Sequence, residues 1–308
     1  MKNIFKKIII ASSLLGLVFF YGCSEDDVLP IDVVVPNIDI SLSATTSDGT
    51  TLVDGGNVSA ADSFSIVISI TAEAGFNTLN TSGDVASSTI NRNDLDIASG
   101  TTNAEVTLTV STSNSLGDGS IDFEAVDEEG NTATASFSFV VVSPAAKIQT
   151  AVMLYAPLGD SSSQTFYSIA NNQTYSLGDV ISTSDPVSAS IDFGYYYGSS
   201  DNAALASPAE YTIYDLSAWE SQNATTLAVT TITSAEYLEM VSVSDIETAL
   251  AGVDVTDANG TITNLSANDI LMFKTVDNVQ GLIHVSTITG TDGSDGMIEL
   301  EMKLAASE

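Results

Sequence analysis

Apolar and polar residues alternate along several stretches of the first half of the chain. In FSIVISI, every second residue from Phe64 to Ile70 is apolar, and the same period of two recurs in EVTLTVS, SIDFEAV and TATASFSFVV. This period predicts strands that bury one face. The turn sequences SDGT, DGGN, LGDG and DEEGN separate these strands. Short strands without a helical period over residues 38–143 predict a β-sandwich.

The alternation breaks at Ser143, Pro144 and Ala145, where we place a domain boundary. Residues 148–308 form the second predicted domain. Its strand-like segments are IQTAVMLYAPL, QTFYSI, SASIDFGYYYG, TTLAVTTIT, NDILMFKT, GLIHVSTI and MIELEMKL.

Two segments of this second domain predict short helices. In SVSDIETALAG, Ser244 and Glu247 have the spacing of a capping box and Gly252 can end the helix. SAEYLEM predicts one more helical turn, and TDGSDG predicts a hairpin loop between the last two strands. The predicted fold class is therefore all-β dominated: an N-terminal sandwich followed by a β-rich domain with one or two short helices.

The N-terminus has the layout of a secretory signal. Lysines at positions 2, 6 and 7 precede an almost wholly apolar run that ends at Gly22, just before Cys23. The run from residue 8 to residue 22 is shorter than the about 20 apolar residues that a membrane span needs. We therefore predict a signal peptide over residues 1–22 rather than a membrane anchor.

Cys23 is the only cysteine of the chain, so it cannot form an internal disulfide. The sequence FYGC resembles the lipobox of bacterial lipoproteins, although Phe20 and Tyr21 stand where that pattern usually has leucine and a small residue. The resemblance implies that Cys23 is the lipid attachment site and the mature N-terminus. Several acyl chains on one residue would anchor the protein stably.

The acidic residues after Cys23 carry a second resemblance. CSEDD is similar to the export signal of surface lipoproteins in the Bacteroidota, which implies a location on the outer face of the outer membrane. Acidic residues also make a solvated tether, and both interpretations can hold together. Residues 23–37, which include the proline-containing segment VLPIDVVVPN, are predicted to form this tether and linker.

The charge of the chain excludes several classes of partner. The formal charge is −33 at pH 7, and loss of the three lysines in residues 1–22 leaves about −36. Nucleic acid is excluded as a partner, because phosphate binding needs a basic surface. Attraction to anionic membrane surfaces is excluded for the same reason.

Few catalytic chemistries are available to this composition. His284 is the single histidine, and histidine is the base that usually activates a serine nucleophile. With one histidine and one cysteine, zinc sites built from these residues are excluded. We interpret His284 as structural and predict no enzyme activity, metal or cofactor. The turns DEEGN and DGSDG could offer oxygen ligands to calcium, but aspartate and glycine also make hairpin turns, which is the interpretation we favour.

Two longer resemblances bear on function. IDFEAVDEEGNTATASFSFVVV resembles the closing hairpin of bacterial immunoglobulin-like repeats, which implies that residues 38–142 are a spacer or adhesive module. In the second domain, FYS, DFGYYYG, LASP and FKT are similar in pattern and spacing to the C-terminal domains of Bacteroidota surface lipoproteins. Some of those lipoproteins capture haem and others bind glycans.

Aromatic residues supply the candidate binding site. In DFGYYYG, strand alternation places Phe193, Tyr195 and Tyr197 on one face and Tyr196 on the other, while Trp219 lies in the polar stretch YDLSAWESQN. We predict that Tyr196 and Trp219 are exposed and bind ligand, because sugars stack on exposed aromatic rings. The chain is then a surface lipoprotein that binds a polysaccharide, and the alternative is an adhesive or structural protein that binds other surface proteins.

Overall fold

The computed structural model describes residues 37–182, 187–254, 258–291 and 295–305. These residues are dominated by β-strands, as predicted, and include three short α-helices. The predicted signal peptide, Cys23 and nearly all of the tether lie outside the described residues.

The N-terminal half, residues 37–142, contains two sheets. Its strands are β1 (Ile38–Thr46), β2 (Thr51–Leu52), β3 (Gly56–Ser59), β4 (Ser63–Ala72), β5 (Phe76–Gly83), β6 (Ser88–Asn91), β7 (Asn103–Ser111), β8 (Gly117–Asp127) and β9 (Thr132–Val142). One sheet has the order β2-β1-β4-β7 and the other has the order β3-β9-β8-β5-β6.

One apolar core lies between these two sheets. Phe64, Ile66, Ile68 and Ile70 of β4 are all buried, so the period of two in FSIVISI is confirmed as a strand with one buried face. The Phe64 ring packs edge-on against Phe139 of the facing sheet, with ring centres 5.1 Å apart. Burial of such side chains, at about 25 cal/mol per Å² of apolar surface, is the main source of stability here.

The C-terminal half, residues 147–305, contains the remaining strands and the helices. The strands are β10 (Lys147–Tyr155), β11 (Gln164–Ser168), β12 (Gln173–Ser176), β13 (Phe193–Gly198), β14 (Asn202–Ala206), β15 (Thr226–Val229), β16 (Thr261–Ile262), β17 (Ile270–Lys274), β18 (Gln280–Thr289) and β19 (Met297–Leu304). The helices are α1 (Leu177–Ser182), α2 (Ser234–Glu239) and α3 (Val243–Ala251).

Four layers follow one another in the C-terminal half. A sheet of order β10-β19-β18-β17-β15 and a sheet of order β12-β11-β13-β14-β16 enclose a common apolar core. Helices α2 and α3 cover part of the first sheet, while α1 and residues 207–225 cover the second. Both sheets therefore carry apolar side chains on their outer faces as well. Strands that alternate apolar residues inward with polar residues outward would not have them there.

The start of α3 differs from its prediction. Ser242 caps the helix by accepting a hydrogen bond from the Asp245 backbone N–H, and Asp245 accepts one from the Ser242 backbone N–H. The expected pair, Ser244 and Glu247, has the same spacing but lies inside the helix. The earlier pair is used because Ser242 leaves an extended bridge with Ala145, so the backbone first turns helical after it. Gly252 follows the last helical residue, as predicted.

The connection between the two halves is tied to the C-terminal half. The Ala146 N–H donates to the Val241 carbonyl at 3.0 Å, and the Val243 N–H donates to the Pro144 carbonyl at 2.9 Å. Each of the four sheets takes its strands from one side of this connection only.

Candidate functional site

Tyr196 and Trp219, the predicted ligand-binding residues, are not on the surface. Each is only 7% exposed. The Trp219 ring packs edge-on against Phe166 with ring centres 4.9 Å apart, and Tyr196 packs against Tyr211 at 5.9 Å. The expected exposure is therefore wrong for both rings. Their part in ligand binding stays a prediction, and it would require the covering segment to move.

The strand alternation behind that prediction is present. Phe193 and Tyr195 point into the core between the sheets, and Tyr196 points to the opposite face. That opposite face is not solvent, because residues 207–225 fold over it and bring Trp219 with them. Ser217 and Glu220 beside Trp219 are exposed while the indole ring points inward, so polar neighbours did not indicate exposure of the ring.

The first sheet of the C-terminal half has an outer face that is covered only in part. Helices α2 and α3 pack on it through Tyr237 and Ile246, above residues of β15, β17 and the start of β18. The remainder, which we call the open face, is partly or fully exposed. Its residues are Met153 and Tyr155 of β10, Thr287 and Thr289 of β18, and Met297, Glu299 and Glu301 of β19.

Strand register arranges the open face in rows. In one row, Met297 is paired with Tyr155 on one side and with Thr289 on the other. In the next row, Glu299 is paired with Met153 and with Thr287. Since neighbouring strands lie about 4.8 Å apart and successive rows about 7 Å apart, each row is about 10 Å wide.

Tyr155 is the main aromatic feature of the open face. It is 39% exposed, and Met153 beside it is 45% exposed. Carboxylates and threonine hydroxyls flank these apolar side chains on the neighbouring strands. An exposed ring next to hydrogen-bonding groups is the arrangement that sugar stacking requires.

The sequence did not single out Tyr155. In AVMLYA every residue is apolar, which is typical of a strand buried on both faces. Strand β10 is instead an edge strand, in which Val152 and Leu154 enter the core while Met153 and Tyr155 are exposed. A register shift between Gln149 and Val152, with Ala151 at φ 55°, interrupts this edge. Such a bulge discourages pairing with another chain.

His284 lies where the open face meets α2. Its Nε2 is 3.2 Å from the Ser234 hydroxyl, and its ring centre is 5.2 Å from that of Tyr237. Burial lowers the pKa of His284, so the ring is neutral at pH 7. The Ser234 hydroxyl also donates to the Asn268 carbonyl at 3.2 Å. These contacts tie the first turn of α2 to β18.

Lys303 is buried beneath the end of α2. Its Nζ donates hydrogen bonds to the Tyr237 and Met240 carbonyls, at 2.7 and 2.8 Å. Both carbonyls lie at the end of the helix, where Tyr237 also accepts a hydrogen bond from the Met240 N–H at 3.2 Å. The cation therefore serves α2 and is not available to a ligand on the open face.

A groove of 560 Å³ lies between α2 and α3. Ile232, Met240 and Ala249 are among its apolar lining residues, and Glu236 and Asp245 contribute carboxylates. Both carboxylates accept hydrogen bonds from helix-capping N–H groups, of Thr233 and Ser242 respectively. The Thr233 N–H lowers the pKa of Glu236, and the Ser242 hydroxyl followed by its N–H lowers the pKa of Asp245, so both carboxylates are engaged in capping.

The turn DEEGN uses its aspartate internally. Asp127 Oδ1 accepts hydrogen bonds from the Glu129 and Asn131 N–H groups, and Oδ2 accepts one from the Asn131 side chain. Although burial raises the pKa of Asp127, these bonds outweigh it and the pKa is lowered. This geometry supports the turn interpretation over a calcium loop. The other candidate, DGSDG, includes residues 292–294, which lie outside the described residues.

Within the described ranges, no group of three or more histidine, cysteine, aspartate or glutamate side chains is placed to hold a metal ion. No helix of the described part of the chain is both long enough and apolar enough to span a membrane.

Comparisons with known proteins give a similarity to solved structures. No profile of a protein family and no curated protein matches the chain. A crystal structure of a DUF4466 family protein from Parabacteroides merdae aligns with a TM-score of 0.38 and 8% sequence identity. The alignment covers 86% of this chain and 98% of that one.

Proposed function

We propose that the chain is a surface lipoprotein of the outer membrane that binds an extracellular polysaccharide through the open face. In this proposal Cys23 carries the lipid, the acidic residues after it direct surface display, and the N-terminal half is an immunoglobulin-like spacer. The C-terminal half then presents the ligand site to the medium.

The exposure of Tyr155 is the observation that carries the binding proposal. Its ring, with Met153 and Met297, offers apolar surface on which the C–H face of a sugar can stack. The hydroxyls of Thr287 and Thr289 can donate hydrogen bonds to sugar hydroxyls or accept hydrogen bonds from them. The Glu299 carboxylate can accept hydrogen bonds from sugar hydroxyls.

The shape of the open face suits a long ligand. Three adjacent strands form it, and β10 is the edge strand of the sheet on the Tyr155 side. A polysaccharide could lie across the rows without inserting a chain end. A single open site of this size predicts weak binding, roughly micromolar to millimolar in Kd.

A glycan array probed with the whole mature chain tests this proposal. We expect Tyr155→Ala to abolish binding to any hit and Tyr155→Phe to retain it, because the ring supplies the stacking surface. Tyr175→Ala is the matched control, since Tyr175 lies on β12 of the other sheet. Binding that survives Tyr155→Ala would contradict the site.

The alternative function is adhesion to another surface protein. Ile148, Met153 and Tyr155 expose apolar side chains along the edge strand β10, which a protein partner could also cover. The same array decides between the two. A chain that binds no glycan but is captured by a purified surface protein through Tyr155 would favour adhesion.

A further inference from the structure

Strand β7 is an edge strand that pairs with β4 alone, along its whole length. Just beyond one end of this pairing the Thr112 N–H donates to the Asp62 carbonyl at 2.8 Å. Just beyond the other end the Ala72 N–H donates to the Thr102 carbonyl, also at 2.8 Å. Since hydrogen-bonded pairs alternate along a regular antiparallel ladder, the even-numbered residues of β7 bond to β4. The odd-numbered residues therefore point their N–H and C=O groups away from the sheet.

These outward backbone groups have no hydrogen-bond partner among the described residues. They belong to five exposed residues: Asn103, Glu105, Thr107, Thr109 and Ser111. On the side of β7 that faces the core, Leu108 is only half-buried, while Val106 and Val110 are buried. A further strand beside β7 would satisfy the backbone groups and cover the exposed part of Leu108.

Strand β7 differs in this respect from the other edge strands of the described residues. Six of those strands have only two to four residues: β2, β3, β6, β12, β15 and β16. Strand β10 has nine residues, but a register shift with Ala151 at φ 55° interrupts it. Short strands and bulges protect an edge from pairing with another chain. Strand β7 has nine residues, no proline and no register shift, so its edge lacks this protection.

Charge favours a second copy of this chain as the partner. Glu105 is the single charged residue of β7, in a chain with 40 acidic residues. When β7 pairs with itself in antiparallel about Thr107, Glu105 lies opposite Thr109 of the second copy, whose hydroxyl can donate to the carboxylate. No like charges face each other in this register. It also places Thr107 opposite Thr107 and Asn103 opposite Ser111, so all the outward-facing residues are paired.

We infer that β7 is an interaction surface through which two copies of this chain pair as antiparallel strands, with the two-fold axis at Thr107. The outward backbone groups of the two copies then bond to each other, and two four-stranded sheets become one continuous sheet. Leu108 of each copy packs beside Val106 of the other. This inference goes beyond the proposed function and does not depend on it, because the open face lies in the C-terminal half.

The antiparallel register sets the direction of the pair. Strands β1 and β7 begin at the same end of the N-terminal half, because Ile38 pairs with Ala72 and Asn103 pairs with Thr71. The two chains therefore enter the pair from opposite ends. Chains anchored at Cys23, as proposed above, would meet from two facing surfaces. This last step alone rests on the proposed anchor.

Sedimentation velocity of the whole mature chain tests the pairing, with Cys23→Ser to prevent disulfide-linked dimers. We expect a monomer–dimer equilibrium with a Kd of roughly micromolar to millimolar, since one strand pair is a small interface. The dimer should strengthen from low to high NaCl, because salt screens the repulsion between two acidic copies. A chain that stays monomeric up to about 1 mM in high salt would overturn the inference.

The variant Thr107→Glu tests the register. It places like charges directly opposite each other at the two-fold axis and should weaken dimerisation at least about tenfold. Thr134→Glu is the matched control, since Thr134 is an exposed residue of β9 in the other sheet and the variant adds the same charge. Both positions are exposed, so both variants should keep the melting temperature of the parent. Equal dimerisation of the two variants would also overturn the inference.

Beads that carry the mature chain through its single cysteine test the facing arrangement. Because Cys23 lies in the predicted tether, coupling through a maleimide reproduces attachment to a surface. Beads with the wild-type chain should cluster, and beads with Thr107→Glu should stay dispersed. Dispersed wild-type beads, from a chain that dimerises in solution, would overturn the facing arrangement.

Discussion

The Lys303 ammonium group lies 4.4 Å from the centre of the Tyr237 ring and donates a hydrogen bond to the Tyr237 carbonyl. One residue of the last strand thus holds both the ring and the backbone of α2 against the sheet. Because α2 borders the open face through Ser234 and His284, this contact also fixes one boundary of the proposed site.

We expect Lys303→Met to destabilise the protein by about 2 kcal/mol, since it removes the hydrogen bonds that Lys303 donates to the buried ends of α2; the Tyr237 carbonyl keeps only the Met240 N–H. Relief of the buried charge offsets part of that loss. Chemical denaturation monitored by circular dichroism measures the effect. Lys274→Met, which removes an exposed charge, is the control, and equal midpoints for the two variants would contradict the role of Lys303.

Asp192 predicts an unusual dependence of stability on pH. Burial raises its pKa to about 6, with the nearby charge of Asp277 adding to the effect, while a hydrogen bond from the Ile169 N–H opposes it. Because the folded pKa lies above the unfolded value of about 3.9, the charged form destabilises the fold. The contribution of Asp192 to the free energy of unfolding therefore falls as the pH rises from about 4 to about 6. Above pH 6 it is constant.

We expect Asp192→Asn to stabilise the protein at pH 7 by about 1–3 kcal/mol and to flatten this part of the pH profile. Asparagine keeps an oxygen that can accept from the Ile169 N–H. Asp277→Asn should give a smaller gain of the same sign. Thermal unfolding at several pH values would show it, and a less stable Asp192→Asn protein at pH 7 would refute the assignment.

The net charge predicts stabilisation by salt. A charge of about −36 on the mature chain opposes compaction through self-repulsion, so the melting temperature should rise between low and high NaCl. Calcium should raise the melting temperature no more than NaCl of matched ionic strength does. The reason is that the Asp127 carboxylate of the DEEGN turn already accepts hydrogen bonds from N–H groups. A melting temperature indifferent to salt would count against this account.

Trp219 provides an optical measure of the cover on the second sheet. It is the only tryptophan, so its emission reports this position alone. Because the ring is buried, we expect blue-shifted fluorescence that iodide does not quench. Quenching at the rate of a free indole would instead show that residues 207–225 open, and would return Trp219 to the candidate ligand-binding residues.

The predicted anchor is tested in cells. Cys23→Ala should release the protein from membranes, and replacement of Glu25, Asp26 and Asp27 by alanine should keep it membrane-bound but protected from added protease. The motivating observation is the single cysteine after the apolar run. Failure of labelled fatty acid to appear on the wild-type protein would remove the lipid anchor from the proposal.

The sequence by itself determined the local conformations. The period of two placed Ile66 and Ile68 of β4 in a core and separated Tyr195 from Tyr196, because side chains of a strand alternate whatever the strand packs against. Gly252 likewise follows the last residue of α3 as predicted, although its φ of −89° is one that any residue can adopt.

Only the tertiary structure decided which faces meet solvent. Tyr196 and Tyr155 are both tyrosines on strands, yet residues 207–225 cover the first, while the second lies on an edge strand with its side chain 39% exposed. The open face joins residues of β10 to those of β18 and β19, more than a hundred positions later in the chain. Local periodicity carries no information about such pairing, because strand order and the layers that cover a sheet arise from packing between distant segments.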